Sequence, residues 1–275
     1  MKNEIDMLHG PLFMKMIMFT LPLAASSILQ QLFNSVDVAV MGRFASSQAL
    51  AAVGSNAPVI SLLINLFMGV SMGANVIISN HIGQNDRRSI RDAISTVGLV
   101  AIVSGLLMMV VGILVARPIL TMMDTPADVL DMAVTYLRIF FLGIPFFMIF
   151  DFGSAILRSM GDTRRPLYIL VAAGIVNTIL NLVFVIIFHM GVAGVAIATS
   201  IANAVSAALI IYLLLHEKEP YRLRPKKLYI EWKELKRMLQ IGVPAGLQGM
   251  VFSVSNVLLQ ASINGYGSDA IAGSA

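Results

Sequence analysis

Long apolar runs separated by short charged segments constrain this chain more than any other feature of its sequence. A helix rises about 1.5 Å per residue, so roughly 20 apolar residues are enough to cross a hydrocarbon core of about 30 Å. The chain is 57% hydrophobic and only 12% charged, whereas soluble domains contain about 25% charged residues. The sequence therefore predicts an all-α protein, a polytopic transmembrane helical bundle.

Seven membrane helices are predicted from these runs. We place them at residues 11–40, 49–81, 92–116, 132–158, 167–189, 192–215 and 239–265. The third is expected to stop at Pro118, because proline interrupts helical hydrogen bonding. The predicted domains are an amino-terminal six-helix bundle (residues 1–215), a basic cytoplasmic linker (216–238) and the first helix of an incomplete carboxy-terminal bundle (239–275).

Two distant stretches share an apolar, proline-containing pattern. The same sequence distance separates Pro22 from Pro244 and Asn34 from Asn256. A repeated pattern of this kind indicates a duplicated bundle, although chance similarity is the alternative. Six helices return the chain to its starting side, so the repeat is expected to be parallel. We expect a truncated sequence that lacks the second bundle needed for a complete transport path; a dimerising half-transporter is the alternative.

The basic residues predict the orientation. With the amino terminus in the cytoplasm, all but three of the 19 Lys and Arg residues fall on the cytoplasmic side, as the positive-inside rule requires. The exceptions are Arg43, Arg117 and Arg138. We therefore predict a multi-pass protein of the cell (inner or plasma) membrane, with cytoplasmic loops at 84–91, 161–166 and 218–236. Membrane lipid is the expected partner, and nucleic acid is not.

Two carboxylates, Asp37 and Asp151, fall inside predicted membrane helices. A charged side chain at that depth costs about 2.5–3.5 kcal/mol on insertion scales, which makes it a candidate for function. Asp37 ends a polar stripe with Gln30 and Asn34, which predicts that this face lies on a water-filled cavity or on another helix. Asp151 is either a second cavity acid or a charge neutralised by Arg158.

Amide and methionine side chains recur on the second helix at helical spacing. Asn65, Met68 and Met72 are the central members of this set. Flexible, polarisable methionines can accept varied apolar ligands, but ordinary packing explains them as well.

The fifth and sixth helices each carry two polar residues one turn apart. These are Asn177 and Asn181 on the fifth, and Thr199 and Asn203 on the sixth. Amides and hydroxyls can hydrogen-bond a carboxyl group or complete an oxygen site for a hard cation. They can equally tie one helix to another.

Two motifs that are common in enzymes are missing from the sequence. It contains no G-x-x-x-x-G-K-[ST] and no H-E-x-x-H, which are the motifs of nucleotide motors and zinc proteases. It also has no cysteine. We expect a protein that is not an enzyme and that has no cofactor.

Four segments together resemble the multidrug and toxic compound extrusion family, the NorM and DinF-like cation-coupled exporters. They are Pro22 with Asp37 and Met41-Gly42-Arg43, the junction Ile156-Leu157-Arg158-Ser159-Met160-Gly161-Asp162-Thr163-Arg164-Arg165-Pro166, the pair Asn177 and Asn181, and Gly191-Val192-Ala193-Gly194-Val195-Ala196-Ile197-Ala198-Thr199. The resemblance implies two six-helix bundles around a central cavity. It also implies export of organic, often cationic, compounds in exchange for protons or sodium ions.

The resemblance implies site residues as well. In the DinF-like branch, an acid on the first helix works with polar residues on the fifth and sixth. The positions that match are Asp37, Asn177, Asn181 and Thr199. Together with Asn34 from the polar stripe they form the expected cation-coupling and substrate site, and the helical spacing adds, as secondary members, Asp151, Gln30, Asn65, Met68, Met72 and Asn203. That branch often has Asp at the position of Asn181, which leaves the choice between H⁺ and Na⁺ open and makes Na⁺ at Asp37 the one metal considered. The NorM branch uses a seventh-helix Glu, where this chain has Phe252.

Two other functions remain as alternatives. One is a lipid-linked oligosaccharide flippase of the same superfamily, which would favour several arginines in the central cavity. The other is a non-transporting membrane scaffold fragment, for which neutralising Asp37 would have no functional effect.

Overall fold

The computed structural model describes residues 12–274 of the chain. Within this range lie eight α-helices: α1 (Leu12–Phe44), α2 (Ser47–Gly83), α3 (Arg87–Met122), α4 (Ala127–Ser159), α5 (Arg164–Leu182), α6 (Gly191–Leu215), α7 (Trp232–Asn264) and α8 (Ser268–Ser274). In the described part of the chain, α1 to α7 are long and apolar enough to cross a membrane, with α5 extended by the turn that follows it. The predicted polytopic helical bundle is confirmed. The predicted start of the first helix at Pro11 lies outside the described residues.

Prolines do not end the membrane helices. α3 continues through Pro118 to Met122, so the predicted stop at Pro118 is wrong. Pro22 likewise lies inside α1. A backbone group exposed to lipid finds no water to bond, so continuing the helix costs less than breaking it. In α1, the Ser26 hydroxyl donates to the Pro22 carbonyl at 2.8 Å.

Several helix ends differ from the predicted ones. α7 begins at Trp232 instead of Leu239, so the end of the predicted linker is helical. α5 ends at Leu182 and is followed by a π-helical turn, Val183–Ile187, where an uninterrupted helix was predicted. α3 begins earlier than predicted because Asp86 caps it. The Asp86 carboxylate accepts hydrogen bonds from the Ser89 hydroxyl and from the backbone of Ser89 and Arg88, and these bonds hold its pKa below the usual range.

α2 lies at the centre of the described bundle, between α4 and α7. Its contact with α4 includes a ladder of three hydrogen bonds, spaced about one helical turn apart. Side chains of α2 donate to backbone carbonyls of α4: Ser71 to Asp151 at 3.4 Å, Asn75 to Ala155 at 3.0 Å and Ser79 to Ser159 at 3.5 Å. The ladder fixes the register of these two helices.

The contact between α2 and α7 brings backbone against backbone. A Cβ atom added to Gly69 would lie 2.2 Å from the backbone nitrogen of Gly246, and one added to Gly73 would lie 2.4 Å from the Met238 carbonyl oxygen. The small-xxx-small pattern at Gly69 and Gly73 therefore meets the one at Gly242 and Gly246, as such patterns do in membranes. Only glycine permits this separation.

Polar pairs hold the same two helices on either side of the glycines. Asn65 donates to the Ser253 hydroxyl at 2.7 Å. Near the other end, His81 Nε2 and Glu234 Oε2 are 2.7 Å apart, and both side chains are buried, with 6% and 5% of their surface exposed. α7 is thus attached to α2 along most of the length of the bundle.

α1 is packed far more lightly. It contacts chiefly α5 and, to a lesser extent, α2. Its tightest contact is the Phe33 ring, which lies against Gly174 of α5, where an added Cβ would be 1.9 Å from Phe33 Cζ. Large apolar side chains such as Phe13, Leu21 and Ile28 are exposed. α1 therefore forms one edge of the described bundle.

Candidate cation site

A chain of hydrogen-bonded side chains joins three helices around Asp37. The Asn181 amide of α5 donates to the Asp37 carboxylate of α1. The same amide donates to Asn177 Oδ1 at 3.1 Å, and Asn177 donates to Thr199 Oγ1 of α6 at 3.2 Å. The structure thus brings together four of the five residues of the expected main site: Asp37, Asn177, Asn181 and Thr199.

Local sequence explains how these side chains meet. Asn177 and Asn181 are four residues apart and share one face of α5. Gly174, one turn earlier on α5, has no side chain and so leaves room for the Phe33 ring. Asp37 is one turn beyond Phe33 in α1, so this contact sets the carboxylate beside Asn181.

The polar atoms of the site are not all paired. Asn181 is fully buried, and its Oδ1 atom has no hydrogen-bond partner within the described residues. A buried oxygen without a partner costs free energy, so it favours a ligand that donates a proton or accepts an oxygen lone pair. Reversal of the amide would turn this oxygen toward Asp37, which is the arrangement that a protonated carboxyl group would favour.

The oxygen atoms available at the site suit a hard ion. They are the Asp37 carboxylate, the amide oxygens of Asn181 and Asn177, and the Thr199 hydroxyl. Hard cations such as those of the alkaline-earth group prefer carboxylate, carbonyl and hydroxyl oxygens, and the same reasoning extends to Na⁺. The arrangement can therefore hold a proton on the carboxylate or a small cation beside it.

Tyr136 is a residue of this region that the sequence reasoning missed. It is buried on α4, within electrostatic reach of the Asp37 carboxylate. Buried tyrosine hydroxyls usually have a polar partner, so a tyrosine within an apolar membrane helix was the signal that could have identified it.

Three predicted residues lie outside the cluster. Gln30 and Asn34 are exposed on α1, although they point within about 60° of the direction of Asp37 at 100° per residue. The grouping of Asn34 with the carboxylate is thus not what the structure shows. Asn203 is half-buried one turn beyond Thr199, and the hydrogen-bonded chain from Asp37 ends at Thr199.

The remaining secondary residues divide into contacts and exposed side chains. Asp151 forms an ion pair with Arg158, with 3.5 Å between Oδ1 and Nη2, so the arginine neutralises it. Asn65 bonds to α7. Met68 and Met72 are exposed on the surface of the described bundle. None of these four contacts the Asp37 cluster within the described structure.

A cleft lies at the end of the bundle nearest to the cluster. Its volume is about 500 Å³. Phe44, Val185 and Val192 line it, and each is one or two helical turns from a residue of the cluster on its own helix. Asp131 and His189 also contribute to its lining. The cleft approaches the Asp37 site from the end opposite the linker.

These features define a multi-pass membrane protein with an acid-containing polar site inside its helical bundle. Residues 22–183 match the MatE family. The chain belongs to this family.

Proteins of known sequence and structure resemble it over nearly its whole length. It is 27% identical over 273 residues to the probable multidrug resistance protein YpnP of Bacillus subtilis, covering 98% of this chain and 60% of that one. It is 29% identical over 263 residues to the probable multidrug resistance protein NorM of Thermotoga maritima, covering 92% and 56%. A crystal structure of MATE in the bent conformation superimposes with a TM-score of 0.85 at 22% identity, covering 92% of this chain and 56% of that chain. The chain thus spans well under two thirds of the length of these relatives.

Proposed function

We propose that the protein is a secondary active exporter of organic compounds, often cations, which it moves across the cell membrane in exchange for protons or sodium ions. The observation that carries this proposal is the hydrogen-bonded cluster of Asp37, Asn181, Asn177 and Thr199 inside the membrane bundle. The names of the relatives, which are probable multidrug resistance proteins, support the same class of substrate.

The site can exchange a coupling ion for a substrate because the proton or Na⁺ and the cationic substrate compete for the single negative charge of Asp37. A proton or Na⁺ on Asp37 removes the charge that a cationic substrate would otherwise meet. Alternating access requires only that occupancy of Asp37 favours one of two conformations, and about 1.4 kcal/mol of differential binding shifts their ratio tenfold. The light packing of α1 makes its position responsive to this occupancy.

The transport path needs a wall that faces the exposed side of α1. Gln30 and Asn34 are exposed on the side of α1 that also carries Asp37. We propose that further helices cover this face, supplied either by a second bundle of the same protein or by a second copy of the chain.

The proposed orientation has the amino terminus in the cytoplasm. The chain contains no cysteine, so single cysteines report their own position without background. A cysteine at Arg164 or Lys236 should resist membrane-impermeant thiol reagents in intact cells, whereas one at Asp128 should react. Ready labelling at Arg164 or Lys236 would reverse the orientation.

The function is tested by Asp37→Asn in the protein as the cell makes it. The amide keeps the shape of the side chain and removes the exchangeable charge. We expect normal insertion, loss of drug efflux from cells, and loss of uptake driven by separate proton and sodium gradients in proteoliposomes. Asp151→Asn is the matched control, because Asp151 is already paired with Arg158, and it should retain most of the efflux. Wild-type efflux by Asp37→Asn at equal expression would refute the proposed site.

A further inference from the structure

A second pocket lies at the opposite end of the bundle from the cleft near Asp37. Its volume is about 230 Å³, and it is formed between the start of α3 and the segment that joins α6 to α7. Its charged lining residues are all basic: Arg91, Arg222, Arg224 and Lys227. The family match ends at residue 183, so most of this pocket lies outside the matched segment.

The segment that forms one wall of the pocket is fixed to α3. The Ser95 hydroxyl accepts a hydrogen bond from the Tyr229 backbone at 2.8 Å, and the Thr96 hydroxyl accepts one from the Glu231 backbone at 2.9 Å. Below these bonds, Leu223 and Leu228 pack on Gly98, where an added Cβ would lie 3.0 Å from Leu223. The pocket is therefore a defined feature of the fold.

The basic side chains of the pocket are largely unneutralised. Arg224 is paired with Glu219, with 3.0 Å between Nε and Oε1. Arg91, Arg222 and Lys227 form no ion pair with any acidic side chain in residues 12–274. Three like charges around one concavity repel each other unless an anion enters.

The neighbouring acids do not fill this role. Asp92 accepts a hydrogen bond from the Tyr229 hydroxyl, and this bond, together with partial burial, raises the pKa of Tyr229 above its ordinary value. The hydroxyl therefore stays protonated and keeps Asp92 engaged at the edge of the pocket. Asp92 also lies 4.0 Å from Arg88. The net charge of the pocket lining remains positive.

The surface below the pocket is apolar and exposed. Ile102 and Leu106 project from α3 within about 60° of the direction of Arg91, at 100° per residue, and both are exposed in the described bundle. At about 1.5 Å per residue they lie roughly 16 and 22 Å from Arg91 along the helix. An acyl chain that follows this face would place its headgroup at the basic side chains.

We propose that this pocket binds the headgroup of an anionic phospholipid whose acyl chains lie along the exposed face of α3. Basic pockets between membrane helices at the cytoplasmic side bind such headgroups in other proteins. The bound phosphate would bridge Arg91 of α3 to Arg222 and Lys227, and so would hold the segment that leads into α7. This proposal is independent of any role of Asp37.

The test measures lipid binding to the purified protein. Phosphatidylglycerol and phosphatidylcholine with identical acyl chains are titrated, and bound lipid is counted by native mass spectrometry. Each cation near a membrane surface contributes about a fivefold preference for anionic lipid. Arg91→Gln with Arg222→Gln should therefore weaken phosphatidylglycerol binding roughly thirtyfold and leave phosphatidylcholine binding unchanged.

Matched control variants distinguish lipid binding by the pocket from lipid attraction by surface charge in general. Arg164→Gln with Lys236→Gln removes two exposed cations that do not line the pocket, and it should retain the wild-type preference. Arg91→Lys with Arg222→Lys preserves the charge and should retain most of it. If the double glutamine variant does not fold, Lys227→Gln alone should weaken binding about fivefold.

Three results would overturn the proposal. One is an equal loss of lipid preference in the pocket variants and in the control variants. A second is a wild-type protein with no preference for phosphatidylglycerol. The third is binding of inorganic phosphate or glycerol 3-phosphate as tightly as the lipid, which would make this a site for a soluble phosphate compound.

Discussion

Two helix pairs of this bundle are held in opposite ways. α7 meets α2 through backbone contact at Gly69 and Gly246, with a polar pair on either side. α1 meets α5 through one aromatic ring on Gly174 and one hydrogen-bonded carboxylate, Asp37. The first contact depends on shape, and the second depends on a group that can change its charge.

The difference indicates which helices move together. Close packing weakens steeply with separation, so a backbone seam has no partly open state of low energy. α7 is therefore expected to follow α2 as one rigid unit. The position of α1 depends instead on a polar bond whose strength changes when Asp37 binds a proton or cation, so α1 is the helix best placed to respond to occupancy.

The largest effect is expected where a methyl group enters the α2–α7 seam. In Gly69→Ala, the new Cβ would lie 2.2 Å from the Gly246 backbone nitrogen, and backbone cannot rotate away as a side chain can. We expect the helices to separate and the free energy of unfolding to fall by about 3 kcal/mol. Thermal unfolding of the purified protein in detergent measures this loss.

Gly83→Ala is the control for that substitution. Gly83 also belongs to α2, but an added Cβ there meets no atom within 4 Å. Its unfolding free energy should change by less than about 1 kcal/mol, because alanine is the better helix former. Equal destabilisation by both variants would mean that glycine flexibility, and not close approach, is what the seam requires.

A smaller loss is expected at the buried pair of the same seam. Glu234→Gln keeps the shape of the side chain but replaces the carboxylate that is paired with His81 by a neutral amide. Because a hydrogen bond to a charged group is stronger than one to a neutral group, we expect the unfolding free energy to fall by about 1.5 kcal/mol. Glu231→Gln is the control, since this side chain does not cap α7 and is only half-buried. If Glu231→Gln is as destabilising, the contribution of the pair is no greater than that of a surface charge.

The sequence predicted those features of the two helix pairs that depend on a single helix. Apolar run lengths identified all seven candidate spans of the described residues, and the four-residue spacing of Asn177 and Asn181 placed both on one face. Resemblance to a known family then associated them with Asp37. Glycines four residues apart permit close approach of membrane helices, but nothing in the sequence pairs Gly69 and Gly73 with Gly242 and Gly246.

The parts that the sequence did not predict depend on how helices align. His81 and Glu234 are 2.7 Å apart only because the glycine seam fixes the register of α2 against α7. Asn34 lies outside the hydrogen-bonded cluster, and a helical stripe could not predict this because it gives the relative angle of its residues and not the direction in which a neighbour lies. The π-helical turn after Leu182 changes the register of the residues that follow, and no composition signal marks it.

The smallest effect on stability, and the sharpest test of the α1–α5 contact, is expected for Asn177→Ala. This change removes the bond from Asn181 and the bond to Thr199, at about 0.6 kcal/mol each, so the unfolding free energy should fall by only about 1 kcal/mol. Asn181 would lose the partner that orients its amide toward Asp37. Hydrogen exchange over residues 28–44 of α1 should therefore accelerate several-fold.

Ser200→Ala is matched to this variant in the number of hydrogen bonds lost. Ser200 donates to the Ile139 carbonyl at 3.2 Å and to the Ala196 carbonyl at 2.9 Å, next to Thr199 but away from α1. It should cost a similar amount of stability and leave exchange in α1 unchanged. If both variants accelerate exchange in α1 equally, that helix responds to general loosening of the bundle. If neither does, packing of Phe33 alone holds α1, and Asp37 cannot control its position through Asn181.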